Sequence, residues 1–126
     1  MPLSRRQARR QAIFLLYQWD LSGQEIGSQY AGEIDPWSRR VAEAVADRAP
    51  ELDERITAAA EGWTADRLGT VERSALRVAV HELQTGEVPA EVAINEAVAF
   101  AKRYASDEAG RLVNGILGRI QREEAA

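Results

Sequence analysis

The sequence predicts an all-α fold built from about seven helical segments. Through most of the 126 residues, apolar residues recur every three or four positions, which is the spacing of a helix face. No stretch shows the strict alternation of apolar and polar residues that is typical of a half-buried strand. Capping residues, glycines and prolines separate the segments. The length fits a single domain, residues 1–126, with a core of its own.

Capping signals delimit the first three helices. Ser4 and Gln7 have the spacing of a capping box, and Gly23 can end the first helix in the left-handed conformation. Asp35 followed by Pro36 predicts the cap and the first residue of a second helix. Pro50 predicts the start of a third helix. The apolar residues expected to point inward from these two helices are Trp37, Val41, Val45, Leu52, Ile56, Ala59 and Trp63.

Four more segments follow in the C-terminal half. A short helical turn, "TADRL", is closed by Gly69, and Thr70 is expected to cap a fifth helix that ends at Gly86. A sixth helix over residues 90–104 is apolar on more than one side, which predicts that it is the central, most buried helix. A seventh begins near Ser106 and is expected to bury Leu112, Val113, Ile116, Leu117 and Ile120.

Composition argues against several classes of protein. The sequence has no cysteine, which excludes disulfides and thiolate metal sites and fits a cytoplasmic location. No apolar run approaches the roughly 20 residues that span a bilayer, and no signal peptide is expected. The single histidine, His81, is interpreted as a packing residue. Without a metal, phosphate-loop or nucleophile motif, the sequence predicts neither a cofactor nor an enzyme.

Positive charge is concentrated at the N-terminus. Arg5, Arg6, Arg9 and Arg10 stand within six residues, and residues 1–22 carry a local charge of +3. Because the net charge is −4, the remainder of the chain carries −7. The start of a helix has free N–H groups and a positive dipole end, so cations there are unfavourable unless an anion binds. Since arginine can both bridge phosphate oxygens and stack on bases, the cluster favours RNA as a partner.

A helical wheel predicts the orientation of the first helix. Its expected core face holds Ala8, Ala12, Leu15, Leu16 and Trp19. The expected exposed stripe, opposite, holds Arg6, Arg10, Ile13 and Tyr17, with Arg5 and Arg9 at the border. Tyr17 could stack on an unpaired base. On this pattern alone, a merely solvated helix face is an equally good interpretation, and no helix-turn-helix with a basic second helix supports binding to duplex DNA.

Polar residues and a glycine interrupt the last two helices. Asn114 and Gly115 lie inside the seventh helix, where glycine costs about 1 kcal/mol relative to alanine. The favoured explanation is close helix packing at Gly115 and hydrogen bonds from Asn114 to buried backbone groups. For Asn95 and Glu96 in the sixth helix, the pattern does not separate a structural role from a functional one.

Four strings in this order and spacing resemble the NusB family of bacterial transcription antitermination factors. They are "RRQARRQAIFLLYQWDLS", "VERSALRVAVHEL", "VPAEVAINEAVAFAKRY" and "LVNGIL". The resemblance covers essentially the whole chain, and "VAINEAV" followed by "VNG" is its most specific part. It implies a non-catalytic all-α domain of two packed helical bundles. It also implies binding of boxA, a single-stranded element in ribosomal RNA leaders, with a NusE-type small-subunit ribosomal protein, in the antitermination complex of RNA polymerase.

The resemblance also implies roles for particular residues. The residues that match RNA-binding positions of the family, or lie next to them, are Arg5, Arg6, Arg9, Arg10, Tyr17, Lys102 and Arg103. Glu72 matches an acidic position used against the NusE-type partner. Leu112 stands where many relatives have phenylalanine, and RNA affinity would be lower here if that ring stacks on a base. Some relatives are dimers, so a homodimer is possible.

Two alternatives to an RNA-binding subunit stay open. The chain could be a protein–protein interaction module without direct RNA binding, in which the arginine stripe only solvates the helix. It could also be a fragment of a ribosomal RNA cytosine methyltransferase, since such enzymes carry a related all-α domain. The absence of a methyl-donor fold and of a cysteine nucleophile disfavours the second alternative.

Overall fold

The helical segments form where capping signals and apolar spacing predict them. The computed structural model describes residues 2–125, and within that range the chain forms six α-helices, one short 3-10 helix and no strand. The elements are α1 (Arg5–Ser22), α2 (Pro36–Asp47), α3 (Ala49–Ala59), the 3-10 helix (Ala65–Arg67), α4 (Thr70–Thr85), α5 (Ala90–Tyr104) and α6 (Asp107–Ala125). The all-α prediction is confirmed, and the fourth predicted segment is the 3-10 helix. None of the described helices is both long and apolar enough to cross a membrane.

The predicted caps Ser4, Gly23, Asp35 and Gly86 lie at helix ends. Thr70 was wrongly predicted as a cap, because it is the first residue of α4 and makes no capping hydrogen bond. Ser4 Oγ accepts a hydrogen bond from the Gln7 backbone N–H at 3.1 Å, and Gln7 Oε1 accepts one from the Ser4 N–H at 2.9 Å, so the capping box is closed. Gly23 ends α1 with φ 71°, in the left-handed region that glycine occupies without a steric penalty. Asp35 caps α2 through the Trp37 N–H at 2.9 Å.

The central helix is α4 and not α5, so this prediction was wrong. Within the described residues, α4 packs against all five of the other α-helices. It buries nearly every residue from Ser74 to Glu82, whereas α5 leaves Val92, Asn95 and Lys102 exposed. The apolar residues of α5 face both α4 and α6, its two main neighbours, which is why they spread around the helix.

Salt bridges attach α1 to α4 at the end opposite the arginine cluster. Asp20 near the end of α1 accepts hydrogen bonds from Arg73 at 2.6 and 2.9 Å and lies 3.6 Å from Arg77. Arg77 is buried and also donates to Asp53 on α3 at 2.7 and 2.8 Å. Burial by itself lowers the pKa of Arg77, but Asp53 and Asp20 outweigh it and hold the pKa above its usual range. The orientation of α1 is therefore fixed by charge pairing as well as by its apolar face.

Two apolar residues lie on the opposite side from the one predicted. Ile13, expected on the exposed stripe, is buried, because α1 is covered by α5 as well as by α2 and α4. Trp63, expected inside, is 52% exposed. α3 ends at Ala59, so Trp63 lies beyond the helix and follows a turn in which Glu61 and Gly62 have positive φ values.

The glycine that brings helices together is Gly110 and not Gly115. A Cβ atom at Gly110 would lie 2.3 Å from Cγ of Lys102, so α5 and α6 approach closely there. Gly115 and Asn114 are exposed, and a Cβ at Gly115 would meet nothing within 4 Å. The packing explanation for these two residues was therefore wrong.

Candidate RNA interface

The capped first turn of α1 presents two of its four arginines to solvent. The side chain of Arg6 is 67% exposed, and its Nε lies 2.8 Å from Oε1 of Glu96 on α5. Arg5 is exposed beside α2, and its guanidinium carbon lies 4.3 Å from the centre of the Trp37 ring. A guanidinium over an indole face is attracted by the ring quadrupole, so Trp37 holds Arg5 in place while leaving its N–H groups available.

Arg9 is not on the surface, and the prediction that it lies at the border of the exposed stripe was wrong. It is 3% exposed and donates through Nε to both carboxylate oxygens of Glu82, at 2.7 and 2.9 Å. Glu82, on the central helix α4, is 4% exposed. A buried charge needs a partner of opposite sign, and α4 supplies it. Arg9 therefore anchors the arginine helix to the core.

Arg10 lies at the edge of a groove between α1 and α5. It is half-buried and makes no ion pair or hydrogen bond with the residues that the structure describes. The groove has a volume of about 180 Å³, and it is referred to below as the α1–α5 groove. Its walls are formed by Arg6, Arg9, Arg10, Ile13, Glu96, Ala99, Phe100, Arg103 and Tyr104. The fold thus brings Arg103, from the end of α5, next to two arginines of α1.

Two members of an aromatic cluster, Phe100 and Tyr104, line the α1–α5 groove. Phe14, Phe100 and Tyr104 pack with ring centres 4.7–5.0 Å apart. Tyr104 is 38% exposed, and the Arg103 guanidinium lies 5.5 Å from its ring centre. The exposed tyrosine therefore stands among cations on a rigid support, where an unpaired base could stack on it.

The other candidate residues lie outside this groove. Tyr17 is half-buried and does not line it, and Lys102 lies on the α6 side of α5, against Gly110. Glu72 occupies the first turn of α4, with its carboxylate folded over Gly69. Glu72 is thus on a different element from the arginines of the groove.

Sequence reasoning did not identify three residues of the interface. Tyr104 and Glu96 come from α5, and Trp37 comes from α2, so only the packing of three helices brings them to the arginines. The sequence signal for Glu96 is a polar residue in an otherwise apolar helix. The "KRY" at the end of α5 is a second signal, since Tyr104 follows directly on Lys102 and Arg103.

The groove has the features of an anion-binding surface with an aromatic neighbour. Arg6, Arg10 and Arg103 can each donate to phosphate oxygens, and bidentate guanidinium contacts to phosphate are strong. Glu96 balances part of this charge before a ligand arrives. Within residues 2–125 there is no cluster of three or more residues suited to holding a metal ion. The geometry thus favours binding of a polyanion.

Comparison with known proteins identifies the family. The model of the NusB family matches residues 6–122. This chain belongs to the NusB family. The transcription antitermination protein NusB of Rubrobacter xylanophilus is 41% identical over 122 residues, which cover 91% of this chain and 88% of that protein. NusB of Salinispora tropica is 39% identical over 128 residues, covering 93% of this chain and 94% of that protein.

Solved NusB structures share the fold. NusB of T. maritima superimposes with a TM-score of 0.86 at 32% identity, covering 98% of this chain and 94% of the other. A chain from the crystal structure of the antitermination factors NusB and NusE in complex with dsRNA superimposes with a TM-score of 0.81 at 29% identity. That match covers 94% of this chain and 96% of the other. The family resemblance found in the sequence is therefore confirmed over almost the full length.

Proposed function

We propose that this chain is a transcription antitermination factor that binds boxA-type single-stranded RNA in ribosomal RNA leaders together with a NusE-type ribosomal protein. It acts in the cytoplasm, as a subunit of the antitermination complex of RNA polymerase. Membership of the NusB family supports the antitermination role. The relative crystallised with NusE and dsRNA supports contacts with both a protein and an RNA. The proposed role is binding and needs no catalysis.

The α1–α5 groove is the observation on which the RNA-binding part of the proposal depends. Four arginines from two helices line it, in a protein whose net charge is −4, and two of them, Arg10 and Arg103, form no ion pair with the described residues. An acidic protein that keeps unpaired positive charge at one place gains by binding an anion there. Tyr104 adds a stacking surface that duplex RNA, with its bases already stacked, does not exploit. The groove therefore favours an unpaired strand.

The arginines near the α1–α5 groove have two different roles. Arg5, Arg6, Arg10 and Arg103 contact phosphates, and Arg9 positions the helix through Glu82 instead of contacting RNA. Tyr104 stacks on a base. Tyr17 and Lys102 remain predicted RNA contacts that lie outside the groove. Homodimer formation also remains a prediction, which sedimentation of the purified chain would test.

Glu72 is proposed to contact the NusE-type partner. It belongs to the acidic remainder of the chain, which carries −7 and suits a basic ribosomal protein through charge complementarity. Its place on α4 leaves the α1–α5 groove open to RNA while the partner is bound.

RNA binding with and without the partner tests the proposed function. A labelled single-stranded boxA-type RNA is titrated with the protein, alone and with its NusE-type ribosomal protein. The controls are an RNA of the same length with the bases scrambled and the boxA strand in a duplex. We expect the single strand to bind more tightly than both controls, and the partner to strengthen binding further.

The same experiment tests the alternative of an interaction module without direct RNA binding. In that case this protein co-elutes with the NusE-type partner. The partner then binds RNA equally well whether or not this protein is present. This outcome would reject the RNA contacts assigned to the α1–α5 groove and leave only the protein contact.

A further inference from the structure

A tryptophan outside the α1–α5 groove is exposed to solvent. Trp63 is 52% exposed and follows a turn in which Glu61 has φ 24° and Gly62 has φ 85°. A positive φ is strained for a residue other than glycine. Arg119 of α6 donates to the Glu61 carboxylate at 2.6 Å and braces this turn. The exposed indole of Trp63 therefore follows a turn that is stabilised by an ion pair with α6.

Trp63 borders a groove of about 420 Å³ between the turn and α6, referred to below as the Trp63 groove. Arg111 and Arg122 also line it, at opposite ends of the α6 segment that faces the turn. Both are exposed, and neither forms an ion pair or a hydrogen bond with another residue in the described range 2–125. The groove therefore combines one exposed aromatic face with two unneutralised cations.

Gly115, which has no side chain, also lines the Trp63 groove. Neither this glycine nor its neighbour Asn114 is needed for packing, because both are exposed and a Cβ at position 115 would meet nothing within 4 Å. A glycine in the interior of a helix costs about 1 kcal/mol relative to alanine. The absence of a side chain at Gly115 gives a ligand close access to the backbone of α6.

The Trp63 groove adjoins a second groove that reaches α5, the helix that also lines the proposed RNA interface. A second shallow groove between α5 and α6 shares Gly115 and Arg122 with it and extends to Asn95. The next residue of α5, Glu96, pairs with Arg6 of the α1–α5 groove. Two consecutive residues of α5 therefore border the two sides: Asn95 lines the groove next to the Trp63 groove, and Glu96 lines the α1–α5 groove.

We propose that the Trp63 groove binds a second segment of the same single-stranded RNA, with a base stacked on Trp63 and phosphates held by Arg111 and Arg122. This inference rests on the proposed function, since it extends the strand bound in the α1–α5 groove. A base offers an aromatic face to the isolated indole, while its backbone supplies the anions that the two arginines lack. A protein partner would need a larger apolar contact than one indole and its few neighbours.

RNAs of different length test the proposal. A short boxA-type RNA is compared with two longer ones, extended by six uridines at the 5′ or the 3′ end, in the presence of the NusE-type partner. The wild-type protein is expected to bind one of the extended RNAs about tenfold more tightly than the short one, the usual order for stacking of a base on an aromatic side chain.

Substitutions at Trp63 separate stacking from other contacts. Trp63→Ala and Trp63→Leu are expected to remove the tenfold gain and leave the affinity for the short RNA unchanged, whereas Trp63→Phe keeps most of the gain. Leu21→Ala, at another exposed apolar residue, is the matched control and keeps the full gain. The variant Arg111→Gln with Arg122→Gln is expected to reduce the salt slope for the extended RNA by about 1.4, since two phosphate contacts are lost.

Each other outcome has a definite meaning. If the short RNA binds but neither extension increases affinity, or if Trp63→Ala keeps the gain, the inference is wrong and the proposed function stands. If Trp63→Ala instead weakens co-elution with the NusE-type protein, the groove is a protein-binding surface and the inference is also wrong. If wild-type protein fails to bind even the short RNA, the proposed function itself fails.

Discussion

At the scale of single residues, the ion pair between Arg9 and Glu82 links the arginine helix to the core. Both side chains are almost fully buried, and removing one partner leaves an uncompensated charge in a poorly solvated place. Position 9 illustrates how a residue in a basic cluster can serve the fold while its neighbours on the same helix face solvent.

Glu82→Ala is expected to destabilise the protein by about 3–5 kcal/mol, because Arg9 would stay buried without a counter-charge. The measurement is urea unfolding followed by circular dichroism. Glu87→Ala, on an exposed residue just beyond α4, is the control and should change the free energy of unfolding by less than about 0.5 kcal/mol. Equal stability of the two variants would contradict the anchoring role of the pair.

His81 makes stability depend on pH. Its Nδ1 lies 2.7 Å from Nη1 of Arg48, and since arginine only donates, the histidine accepts and its ring is neutral. Burial and then the positive charge of Arg48 lower the pKa of His81 from its ordinary 6.5. The unfolded chain therefore binds a proton at a higher pH than the folded chain does. The stabilisation that the neutral His81 ring contributes to the folded state is complete above about pH 6.5. It is lost as the pH falls from there towards the pKa of His81 in the folded state.

Replacing this histidine should flatten the pH profile. We expect the melting temperature of wild-type protein to drop between pH 6.5 and pH 5 by more than that of His81→Gln, which cannot be protonated. Parallel melting scans of the two proteins from pH 5 to pH 8 measure the difference. Superimposable profiles would show that the neutral ring contributes nothing in this window.

At the scale of elements, the close contact between α5 and α6 depends on Gly110 and not on Gly115. Gly110→Ala is expected to destabilise by about 1–3 kcal/mol, because its Cβ would overlap Lys102 near the backbone of α5. Gly115→Ala has open space and a helical backbone, so it should stabilise by about 0.5–1 kcal/mol. Thermal unfolding of both variants measures this contrast. A destabilised Gly115→Ala would restore the packing role that the structure removes.

Local chemistry made the helix ends predictable, whereas burial depended on the neighbours of each helix. Ser4, Asp35 and Gly23 act within a few residues of their own positions, so the sequence alone indicated their roles. Arg9 and Trp63 could not be placed in the same way. A helical wheel assumes one buried face, but α1 is covered by three helices, and the exposure of Trp63 depends on a turn with unusual backbone angles.

The candidate site was predictable only in part for the same reason. Arg6 and Arg10 are close in sequence, one turn apart, and were identified from that spacing. The pairing of Arg6 with Glu96, and the approach of Tyr104 to the arginines, require α5 to pack beside α1. No periodicity within either helix contains that information.

At the scale of the whole molecule, the two signs of charge are divided between surfaces. The start of α1 and the end of α5 form a positive groove, while the rest of the chain is acidic. Such a division lets one small protein attract an RNA and a basic protein to different places.

Glu72→Lys tests the acidic side of this division. It should weaken co-elution with the NusE-type ribosomal protein and slow association, because a favourable charge contact becomes repulsive. The circular dichroism spectrum and the RNA affinity of the isolated chain should stay unchanged. Glu43→Lys, an equal charge change at an exposed position of α2, is the control and should leave co-elution intact. Equal behaviour of the two variants would remove Glu72 from the proposed contact.

The most direct test of RNA binding in the α1–α5 groove uses the double variant Arg6→Ala with Arg10→Ala. Its affinity for boxA-type RNA is measured at several salt concentrations. The matched control is Arg40→Ala with Arg67→Ala, which removes the same charge from exposed arginines elsewhere. We predict weaker binding by the groove variant and a slope of log affinity against log salt that is shallower by about 1.4, with little change in the control. Identical affinities and slopes for the two variants would contradict RNA binding in the α1–α5 groove.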